Sequence, residues 1–260
     1  MKKVFLAGMS LILVICIVSC KKQKPADETR LQQETADQIP TDAEASEEKP
    51  LPAETAKPEE KIDGELMPLP LELPKPMFVG TPANLSGIEN LEPDTRQAQP
   101  PFLAPEGVTN LALNKPVTSS EMQPFTGTLE MIVDGDKEAA DGSVVELGPF
   151  KQWIQIDLQD EYELYAIVFW HYHKTARVYY DVIVQVSNDE DFVTDVTTLF
   201  NNDIDNSLGL GVGEDQHYID KAEGKLVDAK GTQARYVRLY SQGNNQNDYT
   251  HYIEVEVYGK

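Results

Sequence analysis

The sequence predicts an all-β protein whose folded part is a β-sandwich in the C-terminal half of the chain. Residues 234–259 (ARYVRLYSQGNNQNDYTHYIEVEVYG) hold two alternating stretches. Val237 and Leu239 lie between Tyr236, Arg238 and Tyr240, and Ile253, Val255 and Val257 between Glu254, Glu256 and Tyr258. A period of two marks half-buried strands. Residues 241–250 between them are rich in Gly, Asn and Asp, which is loop chemistry. No helical period of useful length appears anywhere in the chain.

Residues 1–20 open with Lys2 and Lys3 and continue in an apolar run from Val4 to Val18. The run is short for a membrane span and reads as an export signal. Its end, Ile17-Val18-Ser19-Cys20, resembles the lipobox of bacterial lipoproteins, in which the cysteine is lipidated and becomes the first mature residue. An ordinary signal peptide or a short anchor helix is the plainer alternative. On the lipoprotein reading residues 1–19 are the signal peptide, and Cys16, the only other cysteine, leaves with it. The mature chain then has no thiol for a disulfide, although an exported protein could carry one. Lys21 stands after the cysteine rather than Asp, which by resemblance to Gram-negative sorting points to the outer membrane of the cell envelope.

Residues 20–65 form an acidic linker. Positions 21–65 contain no aromatic residue and are crowded with Glu, Asp, Ala, Thr, Pro and Gln. Such a segment cannot bury enough apolar surface to offset the entropy of ordering, so disorder is expected. As a coil it reaches roughly 35–40 Å. Residues 66–109 change character, with MPLPLELPKPMFV and QPPFLAP alternating proline with Leu, Met and Phe. Proline excludes a helix interior and a central strand. These stretches fit either a polyproline ligand for another protein or, the reading adopted, an extended arm packing Leu71, Phe78 and Phe102 on the sandwich.

The sandwich itself spans residues 110–260. Candidate strands are 153–158, 165–171, 181–187, 234–240 and 253–258. Ala166 to Trp170 is apolar throughout, which suits a strand covered on both sides. The formal charge of −22 becomes about −24 once the two lysines of the first nineteen residues are removed. A nucleic-acid partner is therefore not expected, because phosphate binding needs a basic surface. Acidity of this size suits a soluble exported protein or one that meets cations.

The words of the sequence are more specific than its pattern. NLALNKPVTSS (110–120), VDGD (133–136), QWIQIDL (152–158), VQVSND (184–189), ARYVRLY and the closing EVEVYG together resemble the discoidin family, also called the coagulation-factor type C or family-32 carbohydrate-binding-module fold. The resemblance covers about the last 150 residues and implies a jelly-roll sandwich. Many animal members join their terminal strands by a disulfide, and this chain departs from that.

The resemblance also implies a structural calcium near the closing strand. Hard cations want several oxygens from carboxylates and turn carbonyls at roughly 2.3–2.6 Å. The Val133 carbonyl, Asp134 and Asp136 around Gly135, with Glu254, supply that chemistry. The family's Thr-x-Trp after DGD is replaced by KEAADGSVVEL, so Ser143, Asp141 or a backbone carbonyl would complete the set. The plainer reading is a solvated acidic turn and a surface glutamate.

In this fold sugars or lipid head groups meet loops at one end of the sandwich, where rings stack on apolar sugar faces and polar groups fix hydroxyls. The candidate ligand residues are His171, Tyr172, His173 and Arg177, with Asn244, Asn247, Tyr249 and His251. The polar run 201–206, followed by the glycine-rich 209–213, is a third such loop. Tyr and His at strand ends are also common packing residues, and Asn-rich loops are often only turns.

Catalysis is not expected. Glu254 and Glu256, or Asp134 and Asp136, would need a cleft and a raised pKa to hydrolyse a glycoside, and calcium accounts for part of the set. His171 and His173, two apart on a strand, would hold zinc only with His217 or His251, whose proximity the sequence leaves open, and DIDNSLG offers alternating oxygens for a second cation but lacks an EF-hand's glycine and distal glutamate. No phosphate loop, GxGxxG or GxSxG is present. The reading is a lipid-anchored protein that recognises a glycan or another envelope ligand. The alternative is a structural envelope protein that binds a protein partner through the sandwich and the arm.

Overall fold

The computed structural model describes residues 65–78, 80, 85, 87–93 and 100–260. The expected signal peptide, Cys20 and the acidic linker up to residue 64 lie outside them. The described chain is an antiparallel β-sandwich. Its strands are β1 (Leu66–Pro68), β2 (Leu103–Pro105), β3 (Thr109–Asn110), β4 (Val117–Ser119), β5 (Val145–Leu147), β6 (Gln152–Trp170), β7 (Ile183–Ser187), β8 (Thr197–Asn201), β9 (Lys225–Ser241), β10 (Thr250–Tyr252) and β11 (Glu254–Gly259). One 3-10 turn, Leu129–Val133, interrupts them. The main sheet has seven strands in the order β3-β11-β6-β9-β7-β8, with β4 also on β6. Two small pairs, β1–β2 and β10–β5, stand apart from it.

The expected strands 153–158 and 165–171 are one strand of 19 residues, β6. The register of β6 against β9 shifts between Asp157 and Tyr162 and again between Leu164 and Ala166. Gln159 in the first break takes φ 73°. A register shift of one residue moves side chains to the opposite face. Up to the second break Ile154, Ile156, Leu158 and Leu164 fill the main core; after it Ile167 and Phe169 do so, while Ala166, Val168 and Trp170 turn to a second cluster. Ala166 to Trp170 is thus apolar throughout because both faces are covered.

The second cover is the arm. Leu69, Leu71 and Phe102 pack on Tyr165, Ala166, Val168, Trp170, Ile253 and Tyr258. Phe78 joins Leu85, Ile88 and Leu91 against Ala176, Val178 and Ile219, beneath the 174–180 loop. The arm corrects the half-buried reading of the closing strand, in which every residue of β11 is buried. Glu254 and Glu256, the polar half of that alternation, lie under the arm side of the sheet and not in solvent.

Candidate functional site

Two places in the fold concentrate chemistry. The first is the turn after the 3-10 helix. Gly135 takes φ 89°, a left-handed conformation that suits glycine. Asp134 and Asp136 beside it are exposed. The Asp136 amide donates to Asp134 Oδ1 at 2.8 Å. Asp136 itself accepts from the Glu138 amide at 3.0 Å and the Ser143 hydroxyl at 2.8 Å. The Val133 carbonyl accepts from the Asn114 amide at 2.8 Å, and Asp141 pairs with Lys174 at 2.5 Å.

Facing this turn is Glu254, whose side chain is 0% exposed and whose two oxygens have no hydrogen-bond partner. Burial pushes its pKa up to about 9, with Glu256 and Asp134 adding to the rise. The Gly135 amide tempers the shift without reaching hydrogen-bond geometry. A buried carboxylate without a partner is costly, and an oxygen-seeking cation is the group that relieves it. The donors fit calcium at Glu254, Asp134 and the turn's carbonyls. Asp136 and the Val133 carbonyl are already engaged by the chain, and the three carboxylates do not form a tight cluster.

The acidic cluster whose oxygens lie within 4.8 Å of one another is Asp181, Asp203 and Asp205, in and before the DIDNSLG run. Burial, with Asp203 and Asp205 nearby, pushes Asp181 up to about 6, while the Ser207 hydroxyl tempers it. Asp203 accepts the Ser207 and Leu208 amides at 2.9 Å each, so it holds its own loop.

The second place is where the 171–180 segment meets β10 and β5. His251 stands opposite Glu146 across the β10–β5 pair, and their side chains meet, Nε2 to Oε2, at 3.0 Å. Its Nδ1 faces the Tyr179 hydroxyl at 3.1 Å and Arg177 Nη1 at 3.4 Å. The Arg177 guanidinium lies over the Tyr172 ring, 4.8 Å from its centre. Its Nε is buried without a partner. Burial pushes His251 down to about 3, with Arg177 and then His171 adding to it. Tyr249 meets the ring of Phe125 edge-on, centres 5.9 Å apart. Phe125 is 66% exposed, and its ring passes over Gly148, where a Cβ would come within 3.1 Å of it.

Of the eight expected ligand residues, Tyr172, Arg177, Tyr249 and His251 thus gather around this cluster. The other four are drawn elsewhere. His171 is buried, with Nδ1 2.9 Å from Asp220 and its ring stacked on Tyr179 at 4.1 Å. His173 is buried, with Nε2 3.0 Å from the Lys137 carbonyl. Asn244 donates to Asn247 at 2.7 Å and to the Tyr249 carbonyl at 2.9 Å, and Asn247 accepts from the Tyr249 amide at 3.1 Å. Both asparagines therefore shape the loop. Glu146 and Phe125 are the residues that sequence reasoning missed, whereas Tyr179 lay in the 174–180 stretch already singled out. Phe125 had a signal, an aromatic in a polar loop, whereas Glu146 becomes meaningful only through its pairing 105 residues away.

The family model of the F5/8 type C domain matches residues 116–255. No curated protein matches the chain. Among solved structures, a Streptococcus pneumoniae fucose binding module is 18% identical with a TM-score of 0.43, covering 60% of this chain and 98% of the module. Chitosan-binding module 1 of a chitosanase/glucanase from Paenibacillus sp. IK-5 is 22% identical with a TM-score of 0.38, covering 58% and 99%. A family 89 glycoside hydrolase from Clostridium perfringens is 20% identical with a TM-score of 0.43; the match covers 58% of this chain and 14% of the hydrolase.

Proposed function

The chain belongs to the F5/8 type C, or discoidin, domain family, and from that premise we propose that it is an envelope protein that binds glycans and catalyses nothing. Lipid on Cys20 holds it to the bacterial outer membrane, and the acidic linker lets the sandwich reach away from the surface. The observation that carries the glycan reading is the convergence of Tyr172, Arg177, His251 and Glu146 from segments distant in sequence, next to which Phe125, its amide on the Glu146 carbonyl, meets Tyr249. Tyr249 and Phe125 present two rings inclined at 73°, a corner for the apolar face of a sugar. Burial of such a face contributes about 25 cal/mol per Å². Arg177 donates hydrogen bonds, and Glu146 accepts them.

Glu254 and Glu256, the pair considered for hydrolysis, lie beneath the arm with no cleft between them, which argues against a glycosidase. The calcium is structural: Glu254, Asp134 and carbonyls of the 133–136 turn would hold it. When bound, it supplies positive charge to an otherwise unpaired carboxylate. A glycan array probed with the intact detergent-solubilised protein tests the reading. Retention of a defined set of glycans supports it, and the absence of any retained glycan overturns it.

A further inference from the structure

Residues 176–180 carry Arg177 and Tyr179 of the cluster and alternate as a strand does. Arg177 and Tyr179 turn to His251, 3.4 and 3.1 Å from its Nδ1. Ala176, Val178 and Tyr180 turn the other way and pack, with Ile219, against Phe78, Leu85, Ile88 and Leu91 of the arm. Leu85 is 2% exposed and Val178 0%. One face of the segment thus belongs to the cluster and the other to the arm.

The edges of the segment are held by hydrogen bonds. The Val178 amide donates to Asn245 Oδ1 at 3.0 Å, and its carbonyl accepts from the Asn245 amide at 3.0 Å. Along the other edge the Arg177 carbonyl accepts from the Asp220 amide at 2.9 Å. Bonds along the edges fix the segment in the plane of its backbone, but they do not stop it from sinking away from His251. The side to which it would sink is filled by the four arm residues.

The arm reaches the cluster by a second route. The His217 amide donates to the Asn90 carbonyl at 2.9 Å, and the Glu92 amide donates to the His217 carbonyl at 2.8 Å. The arm is therefore paired with the stretch that runs on into Ile219 and Asp220. Asp220 lies 2.9 Å from His171 Nδ1, and the His171 ring stacks on Tyr179 at 4.1 Å. Both routes end on the segment that faces His251. The arm lies outside the family match over residues 116–255, so this support is additional to the matched domain.

Resting on the glycan reading above, we infer that the ligand site is built on the arm. Phe78, Leu85, Ile88 and Leu91 are positioning residues that hold Arg177 and Tyr179 against His251. Loosening them lets residues 176–180 move off the ring and opens the site while the sandwich stays folded.

The test compares Leu85→Ala and the half-buried Leu91→Ala with Leu71→Ala, which trims the other half of the arm where it packs on the sheet face. The intact detergent-solubilised proteins are followed by hydrogen exchange and probed on the glycan array. Leu85→Ala should quicken exchange in residues 176–180 about tenfold or more by local opening, and Leu91→Ala should do so by less. Glycan retention should fall in the same order, while residues 152–158 and 234–240 exchange as in wild type. Leu71→Ala should produce neither change, and Leu85→Met, which refills the space, should restore both.

Unchanged exchange in residues 176–180, faster exchange spread equally over the sandwich, or the same response from Leu71→Ala would overturn the inference. So would undiminished retention by a variant whose segment has opened, and each of these results leaves the glycan reading standing. If the wild type retains no glycan, the glycan reading falls and the exchange pattern judges the support by itself.

Discussion

Glu254 and Glu256 stand two residues apart on β11, share one face of the sheet and are both buried. Glu256 accepts from Lys137 at 2.9 Å and from the Tyr258 hydroxyl at 2.9 Å. Glu254 has no partner for either oxygen. Burial of a carboxylate is tolerated when a cation and hydrogen bonds meet it, and otherwise costs several kcal/mol. For Glu256 the chain supplies the cation itself. At Glu254 it supplies no cation, and the 133–136 turn stands opposite, the segment proposed above to hold calcium with it. Two residues of one type on one strand thus differ in role because of what the neighbouring segment places over them.

The sharpest way to break this comparison is to take the partner from Glu256. Lys137→Met should cost about 3 kcal/mol, since removing one member of a buried pair strands the other. Chemical unfolding of the variant measures it, and adding Glu256→Gln should recover part of the loss. A near-neutral Lys137→Met would mean that the two glutamates do not differ in this way.

Calcium comes next in size. An ion bound only by the folded state stabilises by about 2.7 kcal/mol at a hundredfold excess over Kd. Chelation should therefore lower the wild-type Tm. Glu254→Gln should abolish that response, and without calcium it should melt at or above the chelated wild type because a glutamine is buried without having to take up a proton. Identical wild-type melting with calcium and with chelator, in protein that metal analysis shows to be calcium-free at the start, would remove the site.

His251 offers a smaller effect with a definite sign. Its folded pKa, about 3, lies below the ordinary 6.5. Between those values the unfolded chain holds more protons, so stability rises with pH across that window and is lost as pH falls through it. At pH 5 the loss relative to pH 7 should be about 2 kcal/mol. His251→Gln should flatten that part of the curve in unfolding titrations. The smallest stability change belongs to Tyr249→Ala. It should leave Tm close to wild type and weaken glycan retention severalfold to tenfold, whereas lost stability with retention intact would assign the ring to packing.

The strands were legible wherever one face was polar and the other apolar. Residues 234–240 fall inside β9, and 254–258 of the expected 253–258 fall inside β11. The union of two expected strands into β6 was not, because a bend at Gln159 within a strand looks the same in sequence as a loop between two. The burial of Glu254 and Glu256 was also hidden, since the groups that meet them, the 133–136 turn and Lys137, come from about 120 positions away. In the candidate site, residue chemistry pointed to the loops, from which Tyr172, Arg177 and His251 meet. Direction was beyond it: His171 and His173 follow the buried Trp170 inward, and Asn244 and Asn247 satisfy their own turn. Glu146 acquires its place only when β10 pairs with β5.

The most direct test of the account is calorimetric titration of an array-selected glycan into the intact wild-type protein and its Arg177→Ala variant, with Tm recorded for both. The cluster around His251 predicts measurable wild-type binding, a loss of about tenfold or more in the variant, and closely similar melting temperatures. Equal binding by the two proteins would contradict it.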